Sequence, residues 1–120
     1  MIKKHTISIK HAWDGVVWAL STQPNYRVHA FLSLLSIAGG IFFHISKAEF
    51  LIIAVLIVMG LSIETVNTSI EETCDAIDGS IRPDIKIAKD VAAAAMLIFA
   101  VGATLIAGFI FVPYIISLFI

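Results

Sequence analysis

Two stretches without Asp, Glu, Lys or Arg, residues 51–63 and 91–120, flank a segment dense in charge, and this contrast limits the chain to a membrane fold. A helix needs about 20 predominantly apolar residues to cross a ~30 Å hydrocarbon core, and the second stretch exceeds that. The segment between them, 64–90, holds seven of the nine acidic residues and three of the eight basic ones. At 59% hydrophobic residues and a mean hydropathy of +0.98, the chain is too apolar for an ordinary small soluble domain, which runs about 45–50% apolar.

The length of 120 residues points to a single domain, 1–120. A net charge of -1 with no basic patch on a soluble face gives no sign of nucleic acid. One cysteine, Cys74, excludes an internal disulfide and a multi-cysteine zinc site. The first dozen residues lack the apolar core and cleavage site of a secretory signal, so the chain is expected to be mature protein throughout.

Within residues 1–25, Ile9, Ala12, Trp13, Val16, Val17 and Leu20 recur on one helical face. With Lys3, Lys4 and Lys10 nearby, this fits an amphipathic helix lying in the interface of an anionic membrane. Trp13 suits headgroup depth, and Gln23-Pro24-Asn25 ends the helix. Residues 28–45 form a first apolar span, 46–49 a short polar turn, and 50–78 a second span with a polar extension. Gly79 and Pro83 close that extension, and Asp84 is placed to cap a third span over 84–120, in which Pro113 is a candidate bend. The expected fold is all-α and integral to the membrane: one interfacial helix and three transmembrane helices. Basic residues gather at the N-terminus and between spans two and three, which places both in the cytoplasm.

At ~100° per residue, Glu64, Asn67, Thr68, Glu71 and Asp75 fall within about 60° of one line. Ionisable groups at membrane depth are costly and mark function. Glu64 and Glu71 are about 10 Å apart along the helix, too far to share one ion, so they carry separate tasks. Glu64, the deeper, suits a general base. Glu71 suits Mg²⁺ with attached phosphates, Asn67 can donate to a phosphate oxygen, and Arg82 and Lys89 supply positive charge for phosphoryl transfer. Glu72, Asp78 and Asp84 read as a solvated face, the neighbouring Ser and Thr residues as helix packing, and Cys74 as a small packing residue. His29 and His44 read as interfacial side chains, because neither has a partner at ligand spacing. No Gly-rich nucleotide loop is present. These residues alone reach a small membrane protein with a phosphate-compatible site.

The run E-T-V-N-T-S-I-E-E-T-C-D from Glu64 resembles the signature E-x-x-N-[ST]-[AS]-[IV]-E-x-x-x-D of the prokaryotic diacylglycerol kinase family. Ala88-Lys89-Asp90 before a run of alanines, Ala12-Trp13-Asp14-Gly15, and Asn25-Tyr26-Arg27-Val28-His29 resemble further family motifs, the last that of its Gram-positive undecaprenol kinase branch. The resemblance implies a kinase of the inner or plasma membrane that moves the ATP γ-phosphate to a lipid alcohol, undecaprenol favoured over diacylglycerol. It implies a homotrimer with active sites shared between neighbours and facing the cytoplasm. By position it gives Glu64 the role of catalytic base and Glu71 that of a Mg²⁺ ligand. Asn67, Lys89 and Asp90 sit at the nucleotide, and Lys4 takes the place of a family arginine.

The chain departs from the pattern twice. A second metal-binding glutamate of the family is Gln23 here, which offers an oxygen but less charge. An E-Y-H run found in some members is replaced by Ser80-Ile81-Arg82, with Arg82 as the candidate nucleotide contact. Two rivals stand beside the kinase: a proton-coupled transporter using Glu64, and a degenerate, non-catalytic family member.

Overall fold

The structure, a computed structural model, describes the backbone from Ile2 to Ile120 and side chains from His5 onward. Among these residues there are four helices and no strand: α1 (Ile2–Thr22), α2 (Pro24–Phe42), α3 (Lys47–Ile77) and α4 (Pro83–Ile116). α3 and α4 are each long and apolar enough to cross a membrane. At ~1.5 Å per residue their 31 and 34 residues reach about 46 and 51 Å, well past a ~30 Å hydrocarbon core. The excess carries the charged segment.

The break after α1 follows from local chemistry. Gln23 is extended and stands at the N-cap of α2, with Pro24 in its first turn, where the missing N–H costs nothing. The last carbonyls of α1 find donors in side chains: Ser21 and Thr22 hydroxyls donate to Trp18 O. The Arg27 guanidinium reaches back from α2 to Leu20 O (2.8 Å) and Ser21 O. Arg27 thus closes the end of the preceding helix. The stripe of α1 is exposed at Ile9 and Trp13.

Several boundaries differ from the sequence expectation, and the segment expected over 28–45 is α2 at Pro24–Phe42. The polar turn expected at 46–49 is the start of α3. Ser46 accepts from the Glu49 N–H (3.3 Å), while the Glu49 carboxylate accepts from the Ser46 N–H (2.8 Å), a reciprocal capping box. The chain reaches it from α2, which ends at Phe42, through His44 in the left-handed region (φ 53°). Asp84 is not the cap of α4. Arg82 occupies that position with Pro83 following, and Asp84 instead accepts from its neighbour Ile85 (3.0 Å) and from Arg82 (2.7 Å). Pro113 lies inside α4, which ends three residues later.

Packing is closest where glycine removes a side chain. A Cβ on Gly60 would lie 2.7 Å from the Phe99 ring, so α3 and α4 meet there more tightly than any other residue allows. A Cβ on Gly40 would lie 2.9 Å from the Phe50 ring, which seats the end of α2 on the start of α3. Beyond this level Ile45, Ile53 and Ile110 form a small buried cluster with Phe43, Phe111 and Tyr114 around it. Tyr114 Oη donates to Glu49 (2.8 Å) and ties α4 to the first turn of α3. Buried residues are few, whereas Val58, Ile98, Leu105 and Phe109 are among many large apolar side chains left open. An apolar surface on this scale is matched to lipid or to further protein, not to water.

Candidate functional site

The polar segment of α3 separates into two levels. At the deeper one, Glu64 (3% exposed), Asn67 (5%) and Thr68 (6%) are buried on one face, in agreement with the helical spacing. Asn67 Nδ2 donates to Glu71 Oε1 at 3.3 Å, so the amide and the second carboxylate form a unit one turn apart. Among the described residues Asn67 Oδ1 is buried without a partner. An orphaned buried acceptor is costly, and it marks a place for a donor or cation that the described residues do not supply.

Opposite this face stands α2. Tyr26 is buried, and its hydroxyl shares a 3.4 Å hydrogen bond with Thr65 Oγ1. One turn along α2, His29 Nε2 lies 3.9 Å from Glu64 Oε2. Sequence reasoning missed this pairing, because spacing within one helix says nothing about which residue of another helix faces it.

The outer level is built by α3 and α4 together. Asp75, Arg82, Lys86, Lys89 and Asp90 line a cleft of about 300 Å³ with Gly79, Ser80 and Ile81. Lys89 Nζ donates to Asp75 Oδ1 (2.9 Å) across the two helices. Arg82 lies 3.8 Å from Asp78 and 2.7 Å from Asp84, and Lys86 pairs with Asp90. Hydrogen bonds from Ser80 hold the Asp78 carboxyl below the usual carboxylate range. Three of the sequence candidates, Arg82, Lys89 and Asp90, are therefore brought to one cleft, and each is engaged by a charge of opposite sign.

Gln23 is placed elsewhere. Its amide donates to Glu72 Oε1 at 3.4 Å, which brings the end of α1 to the back of the carboxylate stripe. Glu72, read from sequence as a solvated residue, is exposed but takes this contact. The side chain of Lys4 lies outside those described. Among those described, no three His, Cys, Asp or Glu side chains converge on a ready-made metal cluster. Mg²⁺ does not require one, since it binds through one or two carboxylates together with substrate phosphates. Glu71, with the free Asn67 oxygen beside it, fits that mode.

The model of the prokaryotic diacylglycerol kinase family matches residues 10–111. The chain is 31% identical over 115 residues to a diacylglycerol kinase of Synechocystis, covering 95% of this chain and 66% of that protein, just under two thirds of its length. It is 37% identical over 106 residues to an undecaprenol kinase of Bacillus subtilis, covering 88% of this chain and 86% of that protein. With an all-helical fold, two helices long and apolar enough to cross a membrane and the acidic signature face gathered on one of them, the chain belongs to the prokaryotic diacylglycerol kinase family.

Proposed function

We propose that this protein is a membrane lipid kinase that transfers the γ-phosphate of ATP to the hydroxyl of a lipid alcohol, undecaprenol before diacylglycerol. The observation that carries the reading is the division of labour along α3: a buried carboxylate, Glu64, and a half-buried carboxylate, Glu71, bridged in depth by Asn67. A base that must meet a hydroxyl at the membrane surface belongs at the deeper position. A group that meets a charged nucleotide belongs nearer water. The preference for undecaprenol rests on the Asn25–His29 motif and on the likeness to the Bacillus enzyme.

In this reading Glu64 accepts the proton of the lipid hydroxyl as its oxygen attacks the γ-phosphorus of ATP, the bond from that phosphorus to the β–γ bridging oxygen breaks, and ADP leaves. Glu71 would hold Mg²⁺, and the ion when bound would supply charge neutralisation at the phosphates. Asn67 orients Glu71 through their hydrogen bond. Lys89 and Arg82 exchange their carboxylate partners for phosphate oxygens, and Asp90 holds Lys86 beside the cleft. Gln23 supports the metal level through Glu72, and the family resemblance gives Lys4 to the nucleotide.

α2 is the third membrane span, α1 lies in the interface, and the N-terminus and charged segment face the cytoplasm. The small buried core of one chain and its broad apolar surface support a homotrimer whose neighbours complete each site. The test is transfer from labelled ATP to undecaprenol, diacylglycerol and a soluble alcohol in detergent, with and without Mg²⁺. Mg²⁺-dependent labelling of a lipid alcohol is expected, and Glu64→Gln should lower turnover by about 10²–10⁴ while leaving ATP binding in place. Failure to label any lipid, or near-normal turnover in Glu64→Gln, overturns the reading.

A further inference from the structure

We infer that His29 is a positioning residue that orients the Glu64 carboxylate from across the α2–α3 interface, an inference that rests on the kinase reading of Glu64. Glu64 is 3% exposed, and among the described residues no hydrogen bond is donated to it. His29 is the one basic side chain of the described set within 4 Å of it, at 3.9 Å and 21% exposed. A buried carboxylate without a donor is expensive, and a base that is free to rotate presents the wrong lone pair to its substrate. Active-site bases are commonly held by a third group for this reason.

The placement of His29 is built, not incidental. Tyr26 and Thr65 lock α2 against α3 one turn earlier, and Thr65 adjoins Glu64. Ser33 Oγ donates to the His29 carbonyl (2.7 Å), so the next turn of α2 carries its own polar group inward. His29, Ser33 and Ser36 form a polar ledge along a cavity of about 130 Å³, whose other walls include Gly60, Leu61 and Phe99. His29 therefore lines this cavity and also lies 3.9 Å from Glu64. A separation of 3.9 Å exceeds a hydrogen bond, but catalytic hydrogen bonds are often long without substrate and tighten in the complex. An imidazole N–H closing on Glu64 Oε2 would aim the other oxygen, Oε1, at the incoming hydroxyl.

The experiment compares His29→Leu with His29→Gln, which removes the ring but keeps an N–H donor. His29→Leu should lower kcat roughly 10–100-fold, the scale of losing a group that orients a reacting ligand, with KM for ATP unchanged. His29→Gln should recover most of that loss. Wild-type kcat in His29→Leu, or equal loss in both variants, overturns the inference. A second readout does not depend on turnover: the ¹³C-labelled imidazole resonance of His29 in micelles, assigned by its disappearance in His29→Gln. It should move when Glu64→Gln is introduced, and an unmoved resonance overturns the pair. Should the wild type phosphorylate no lipid alcohol, the kinase reading falls and the positioning role falls with it. An active wild type with unaffected His29 variants sinks the positioning role alone.

Discussion

Lys89 Nζ donates to Asp75 Oδ1 over 2.9 Å and so joins the beginning of α4 to the last turns of α3. Both side chains are substantially exposed. Exposed pairs of this kind add little to stability, and the bond instead holds an ammonium in place at the mouth of the charged cleft. A cation kept by a weak partner is one that phosphate can take over.

Lys89→Met should accordingly raise KM for ATP by an order of magnitude or more, while the melting temperature in detergent stays near that of the wild type. Nucleotide titration together with a thermal melt checks both halves. A variant that melts early but binds ATP normally would make Lys89 a structural tie between the helices.

Gln23→Glu would set a second carboxylate at the position from which Gln23 donates to Glu72. Without divalent ions the two should repel and lower the melting temperature; millimolar Mg²⁺ should relieve the defect by bridging them. Glu72→Ala should remove the sensitivity, with a coupling of about 0.5 kcal/mol or more in the double-mutant cycle. Additive effects would mean that the two side chains do not meet.

Gly60→Ala forces a methyl group into the space of the Phe99 ring, 2.7 Å from its nearest carbon. Overpacking of this kind costs about 1–3 kcal/mol. Unfolding in mixed micelles should show that loss, and Phe99→Leu in the same chain should restore part of it. A Gly60→Ala protein as stable as the wild type would mean that the ring swings away freely.

Asp78 supplies the pH dependence. Its folded carboxyl is held down by hydrogen bonds from Ser80. A depressed carboxyl contributes stability that is present above its unfolded value and is lost as pH falls through its folded value. The 78–82 turn, with Ile81 94% exposed, should thus open to pepsin as the pH drops below the usual carboxylate range. Asp78→Asn should be cut readily at every pH tested, with the pH dependence gone. Identical profiles for the two proteins would remove Asp78 from the account of the turn.

Local signals in the sequence carried much of this arrangement. Pro24 and Pro83 marked in the sequence where one helix ends, and in the structure each stands in the first turn of the next, where its missing N–H costs nothing. The spacing of Glu64, Asn67 and Thr68 places them on one face, and all three are buried together. The start of α3 was hidden because Ser46 and Glu49 look like a polar turn until their reciprocal bonds are seen. The contacts of Arg27 with α1, Gln23 with Glu72 and His29 with Glu64 were not legible. Each depends on the angle at which one helix meets another, and periodicity along a single helix carries no such information.

α3 and α4 are fastened at two levels, Phe99 on Gly60 and Tyr114 to Glu49. Helices so fastened do not slide past each other to match a thicker or thinner bilayer; the pair meets the mismatch by tilting as one body. Tilt changes the depth of everything along the pair, and Glu64 sits where apolar helix gives way to charge. The thickness of the surrounding membrane therefore enters directly into how far below the headgroups this carboxylate stands.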